Sequence, residues 1–325
     1  MERAPGERTA EQHLPPEQDP PAARYEPPQE GSPRDIPARG WTAALKNTAK
    51  EIKSDRVTFT AGALAYYWFL ALFPAVIALI GLITIIDIAR PQLQSLVTGV
   101  TNYVPPGTSN VLTSAIKQAG SKTGGGTVAV VVGLAVAVWS ASSGMAALTT
   151  GLNVAYDVSE DRKFIPKRIN ALFLMLIVLV FGGIAAALLV FGGPIGNAIK
   201  DQIGFGEQVF LWAWTVVRWV GAILTAAVLF SALYFFGPKR DSPHWQWVTI
   251  GGIVGMIIWL AASAGFSFYI TSFGSYGKTY GAFAGVAILI LWLYLTGLAV
   301  LIGAELNAEL ERQKQAVDRS PRSRA

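Results

Sequence analysis

Residues Trp139–Phe164 read WSASSGMAALTTGLNVAYDVSEDRKF, opening inside an apolar run and closing in a charged connection. At 3.6 residues per turn, Trp139, Ser143, Ala146, Thr150, Asn153 and Asp157 fall on one face of a helix. The run that precedes them, TVAVVVGLAVAV, is purely apolar. A helix from Trp139 to Asp157 is about 27 Å long, so one small and polar stripe runs from mid-membrane to a membrane surface. Polar side chains in hydrocarbon face a bundle interior or a water-filled cavity. Ser, Thr and Ala also let helices approach closely, which is the plain packing alternative. Asn153 and Asp157 carry more polarity than close packing needs.

Working outward, the whole chain has a membrane composition. Its 325 residues are 52% hydrophobic and 14% charged, with a mean hydropathy of +0.42. The net charge of +5 is explained by basic residues gathered on the cytoplasmic side of a membrane, without a nucleic-acid partner. There is no cysteine, which excludes a disulfide, a thiol nucleophile and a thiolate metal site. The N-terminal stretch has no apolar core after its basic residues, so no cleavable signal peptide is expected.

In chain order, residues 1–40 are rich in Pro, Glu, Gln and Arg and read as a disordered cytoplasmic tail. Residues 41–58 suit an amphipathic helix, with Trp41, Leu45 and Ile52 on one side and Lys46, Lys50 and Lys53 flanking it. Such a helix is expected on anionic lipid. Six spans follow, near 60–86, 127–153, 169–193, 211–236, 248–271 and 282–308. Pro74 interrupts the first, where it removes a backbone bond and serves either packing or a hinge. Residues 87–126 read as an amphipathic helical hairpin on the outer side, between spans 1 and 2. The membrane domain is placed at 41–310, and residues 311–325 form a charged cytoplasmic tail that frays from Glu309. Lys and Arg concentrate in 157–168, 237–247 and the C-terminal tail. All three fall on one side of a six-span arrangement, so both termini are expected in the cytoplasm.

Three segments carry a family resemblance: Gly62–Pro74 (GALAYYWFLALFP), the Trp139–Phe164 stretch and Tyr280–Leu310 (YGAFAGVAILILWLYLTGLAVLIGAELNAEL). In combination and order they resemble the YihY/BrkB family of bacterial inner-membrane proteins, formerly labelled ribonuclease BN. The resemblance spans about Arg56 to Leu310. It implies a six-helix, all-α polytopic membrane fold in the bacterial inner membrane and supplies no agreed molecular activity.

The residues that could carry function are few. Arg218 is a strong charge well inside a span, in its outer half, and either snorkels to headgroups or anchors an anion. Asp87, Asp201, Glu207 and Tyr276 are its candidate partners. Tyr67 shares a face of span 1 with Arg56, Thr60, Ala63 and Pro74. Together with Ser143, Thr150, Asn153, Asp157 and Arg218 it makes up the expected substrate-binding set. Arg56, Arg162 and Glu305 are expected to form an inner polar cluster, with Glu305 pairing with Arg56 or Arg162. Gly277, Gly281 and Gly285 repeat every four residues, as Gly251 and Gly255 do, a spacing for close helix contact or a moving helix.

Catalysis has little to stand on. Metal-dependent RNA cleavage needs clustered His, Cys or carboxylate ligands, and the two histidines, His13 and His244, are far apart in the chain. No Walker loop, nucleophile elbow or dinucleotide fingerprint is present. Gly120–Gly126 (GSKTGGG) lacks the order of a phosphate loop. No metal or cofactor is expected. The expected function is a transporter or flippase-like protein for an amphiphilic, lipid-like or anionic substrate, with membrane lipids as partners. The alternative is a non-transporting envelope-integrity scaffold, and an enzyme ranks below both.

Overall fold

A computed structural model describes residues 36–85, 127–200, 202, 206–240, 245–272 and 282–318. Within them the chain is helical throughout: α1 (Ala38–Ser54), α2 (Val57–Ile85), α3 (Thr127–Ala155), α4 (Phe164–Lys200), α5 (Glu207–Phe236), α6 (Trp245–Ser272) and α7 (Ala282–Asp318). Four segments are long and apolar enough to cross a membrane: Phe164–Lys200, Glu207–Phe236, Val248–Ile270 and Gly285–Lys314. At 29 residues each, α2 and α3 are about 43 Å long, also enough for a crossing. The hairpin expected over 87–126, the glycines Gly277 and Gly281, and the residues 1–35 of the expected tail lie outside the described residues.

The perimeter is apolar. Phe59, Leu179, Val209, Trp212 and Phe268 are all exposed, more large apolar side chains than a protein in water commonly leaves bare. The interior is built from smaller contacts. α6 presents Gly251, Gly252 and Gly255 where a Cβ would run into Asn307 of α7, Ser231 of α5 and the Tyr234 hydroxyl of α5. Gly303 of α7 in turn lies against the Gly255 Cα. The glycine spacing in α6 is therefore a packing device that brings three backbones together. A core of Leu64, Leu148, Leu152, Tyr156, Tyr234 and Leu301 fills the space between α2, α3, α5 and α7.

Three local features differ from the sequence expectation. The apolar side of α1 is covered in part by protein: Trp41 and Ala44, with Ile36 just before the helix, pack against Leu306 and Leu310 of α7 and Ile250 and Val254 of α6, while Leu45 stays exposed. Lys46, Lys50 and Lys53 stay exposed. The α7 extension supplies the surface that α1 covers, so both bury area they would otherwise leave open. That extension is the second difference. The helix runs unbroken to Asp318, and Glu309, Glu311 and Lys314 are buried where a fraying tail was expected from Glu309. The third is α4, which passes through FGGPIG to Lys200 with Pro194 inside it and a π-turn at Val178–Gly182. A proline in the middle of a helix removes one backbone bond without ending the helix when its neighbours hold it.

Candidate functional site

α1, the connections after α3 and α5, and the end of α7 meet at one end of the bundle, called here the terminal end. α3 finishes there in a Schellman turn: the Val158 N–H donates to the Asn153 carbonyl at 2.9 Å and that of Asp157 to Val154 at 3.0 Å. Asp157 takes the left-handed conformation this turn requires, with φ 51°. Asn153 is thereby held buried, its carbonyl side chain accepting from the Lys239 N–H at 2.8 Å and its amide donating to Glu160 at 3.0 Å. Arg162 stacks its charge beside Glu160 at 3.8 Å and donates to the Gly237 carbonyl at 3.4 Å. Lys239 pairs with Asp161 at 2.9 Å, and that hydrogen bond holds the exposed Asp161 carboxyl below its ordinary range.

The polar layer deepens around α7. Arg240 is buried and donates twice to Glu311, at 3.0 and 3.2 Å, and once to the Tyr234 carbonyl at 2.6 Å. Its guanidinium lies over the Tyr156 ring, 4.3 Å from the centroid. Burial pulls the Arg240 guanidinium down and pushes the Tyr156 phenol up from their ordinary values. Asn307 donates to the Tyr156 hydroxyl at 2.8 Å and to Glu311 at 3.0 Å, and accepts from the Gly251 N–H at 3.2 Å. Arg312 bridges Asp157 at 2.6 Å and Glu309 at 3.1 Å. Asn47 of α1 donates to Glu309 at 2.7 Å. Charged groups buried with this many partners rigidify the end of a bundle.

The expected residues divide among these places. Asn153 and Arg162 share one knot, and Asp157 belongs to the next, with Arg312. Glu305 pairs with neither Arg56 nor Arg162: it is buried and both its oxygens lack a hydrogen-bond donor. Arg56 is exposed at the corner between α1 and α2, with φ 51°. Tyr67 faces outward, edge-on to Tyr66 at 5.7 Å. It is Trp68 that turns inward, donating to the Gly144 carbonyl at 3.3 Å. Thr150 is exposed and bonds back to the Ala146 carbonyl at 3.0 Å. Pro74 sits inside α2, and Gly285 is buried.

Ser143 leads to a second place, on the side of the bundle. Arg168 of α4 donates to the Ser143 hydroxyl at 3.1 Å and to the Trp139 carbonyl at 2.7 Å. Its guanidinium stacks on the Trp139 ring at 3.7 Å from the centroid. Between α3 and α4 this pair closes one end of a cleft of about 510 Å³ whose walls include Leu134, Val138 and Leu172. The walls are apolar apart from Ser142 and the arginine. The sequence reading counted Arg168 only as one of four basic residues in a connection. Its place one turn inside α4 was the signal that it could reach along the bundle.

Arg218 forms a third place. Its side chain lies across Gly192 and Gly193 of α4, where a Cβ would strike its Cδ or Nη1. Its Nε is buried without a hydrogen-bond partner. Trp214 on the same face donates to the Gly192 carbonyl at 2.5 Å. Glu207, one of the expected partners of Arg218, instead pairs with Lys200 at 3.4 Å. Asp87, Asp201 and Tyr276 lie outside the described residues. Among the described residues no three His or acidic side chains come together as a metal site.

Comparison with known proteins follows the same outline. The family model described as "Virulence factor BrkB" matches residues 48–325. The ribonuclease-like protein YfkH of Bacillus subtilis is 35% identical over 79% of this chain and 91% of its own length. UPF0761 membrane proteins of Aliivibrio salmonicida and Vibrio campbellii are 30% and 26% identical, over 82% and 86% of this chain and 82% and 85% of theirs. No solved structure matches.

Proposed function

The chain belongs to the Virulence factor BrkB family, and we propose that it acts there as a flippase-like transporter of an anionic amphiphile. The lateral cleft between α3 and α4 carries this reading. An acyl chain fits walls such as Leu134, Val138 and Leu172, and Arg168 stands where the headgroup would lie. A guanidinium has five donors in a planar fork that matches phosphate or carboxylate, and Ser143 and the Trp139 carbonyl take two of them. Arg218 is a second anion anchor in the outer half of the bundle.

In this reading the protein spans a bacterial inner membrane six times with both termini in the cytoplasm, α2 and α3 completing the set of spans. The gathering of Arg162, Lys239, Arg240 and Arg312 at the terminal end supports that orientation. The partners are membrane lipids, with no nucleic acid, metal or cofactor, and the protein is not an enzyme. The name of the Bacillus relative keeps a ribonuclease in view, but among the described residues no three metal-ligating side chains converge to cleave RNA.

A second reading, the envelope-integrity scaffold, draws on the close packing of the terminal end, where Leu152, Tyr156, Tyr234 and Leu301 are all fully buried. Reconstitution separates the two. Vesicles holding the full chain are loaded with fluorescent anionic or zwitterionic phospholipid, and the outer leaflet is quenched. Transport gives a faster second loss of the anionic probe than empty vesicles, slowed about tenfold or more by Arg168→Ala, as expected for a charge-assisted bond of about 1.5–3 kcal/mol. Equal rates with and without protein leave the scaffold.

A further inference from the structure

Four polar side chains of α7, Glu305, Asn307, Glu309 and Glu311, are buried in succession. Asn307, Glu309 and Glu311 find donors or acceptors from α1, α3, α6 or the Arg240 connection. Glu305 is the exception. It is 1% exposed, and neither oxygen meets a donor. A carboxylate in that condition costs several kcal/mol if it stays ionised.

Its surroundings make ionisation worse. Asp55 from the corner after α1, Glu51 of α1 and Asp157 after α3 are the acids whose charge reaches it, and Arg312 is the base. Arg312 is already engaged by Asp157 and Glu309. The inner part of α2 (Val57–Leu64) and the adjoining half of α6 contribute no acid or base, and the Tyr156 hydroxyl is taken by Asn307. Asp55 is held in place by its N–H bond to the Glu51 carbonyl at 2.8 Å. Its carboxyl lies within side-chain hydrogen-bonding reach of Glu305. Two ionised carboxylates have no hydrogen to put between them, so such a pair bonds only when one member is protonated.

We propose that Glu305 and Asp55 are a proton-binding site, a carboxyl pair that holds one proton between α7 and the α1–α2 corner at neutral pH. Burial and the Asp157 charge also hold the Asp55 carboxyl above its ordinary range. A metal cation needs several oxygens at once, and no group of three acids among the described residues converges to supply them. Release of the proton leaves two like charges in contact, which pushes α1 and its corner away from α7. As the coupling ion of a transporter, the proton's use rests on the proposed function, whereas its presence does not.

The test is infrared spectroscopy of the full chain in lipid nanodiscs, from mildly acidic to mildly alkaline pH. The expected result is the carbonyl stretch of a protonated carboxyl at neutral pH. The band shifts when glutamate carboxyls are isotope-labelled, titrates in one step that Asp55→Asn displaces, and is lost in Glu305→Gln. Labelling works on the unmutated protein, so a variant that fails to fold does not block the reading. The sign of the stability effect is also fixed. A carboxyl that is buried without a donor and must keep its proton to stay there favours the folded state less as pH rises, so the thermal midpoint falls with pH, and Glu305→Gln flattens the fall. Absence of a protonated glutamate at neutral pH overturns the proposal. So does a sodium- or potassium-dependent rise in the midpoint that Glu305→Gln abolishes. The band in a preparation that fails the vesicle assay overturns the transport reading and supports this one.

Discussion

Replacing Arg240 by methionine isolates the deepest charge in the terminal layer. The side chain is fully buried and its partner Glu311 nearly so, at 0% and 1% exposure. The substitution removes two bonds to Glu311, one to the Tyr234 carbonyl and the stack on Tyr156. Glu311 keeps the Asn307 amide but loses the guanidinium that bonds it twice. Breaking one half of a buried ion pair costs about 3–5 kcal/mol, whereas replacing both halves by apolar groups of similar volume is about neutral or stabilising. Arg240→Met is therefore expected to lose about 3–5 kcal/mol, and Arg240→Met with Glu311→Met to recover most of it. The assay is detergent-driven unfolding of the full chain in mixed micelles, followed by far-ultraviolet circular dichroism. The reasoning fails if the single variant loses less than about 1 kcal/mol, the worth of an exposed pair. It also fails if the double variant is no better than the single one.

Gly252→Ala should destabilise by about 1–3 kcal/mol in the same unfolding assay, because its Cβ would meet the Ser231 hydroxyl and backbone of α5, which cannot swing aside. Gly62→Ala, with nothing within 4 Å of its Cβ, is the matched control and should not lower the midpoint, since alanine favours the helix over glycine. Arg218→Lys keeps the charge but loses the fork that lies over Gly192 and Gly193; it should fold and slow anionic lipid movement in the vesicle assay, and full activity would reduce Arg218 to a snorkelling side chain. A cysteine placed at Ser159 in this cysteine-free chain should be shielded from an impermeant thiol reagent in intact cells, while one at Ser109 is labelled. Labelling at Ser159 from outside would invert the proposed orientation.

The sequence announced its helices through apolar runs, and the α6 glycines through their spacing, because both are local patterns. What it hid depends on partners far apart in the chain. Glu311 looked like the start of a loose tail, since nothing near it in sequence says that Arg240 will be there. The packing of Trp41 and Ala44 of α1 on α7 and α6 was hidden too, because an amphipathic face is the same whether lipid or protein covers it. The stripe from Trp139 to Asp157 was correctly seen as polar, yet its members serve different masters: Ser143 meets Arg168, Asn153 ties the connections and Thr150 satisfies itself on its own helix. Periodicity gives the face of a helix, but the rotation of that face toward a neighbour is decided by packing. Glu305 was given the wrong company, because charge complementarity suggested an arginine where the fold supplies another acid.

The α7 extension sets an order of events during synthesis. Arg312 and Asp157 are 155 residues apart, Asn47 and Glu309 262. A ribosome delivers Asn47, Asp157 and Arg240 to the membrane well before the segment that answers them. The nascent chain therefore waits with that end unfastened, and α7 closes it as a latch. Cleavage or stalling before Glu311 would leave polar ends without their counterparts, the kind of incomplete product that membrane quality-control proteases recognise and remove.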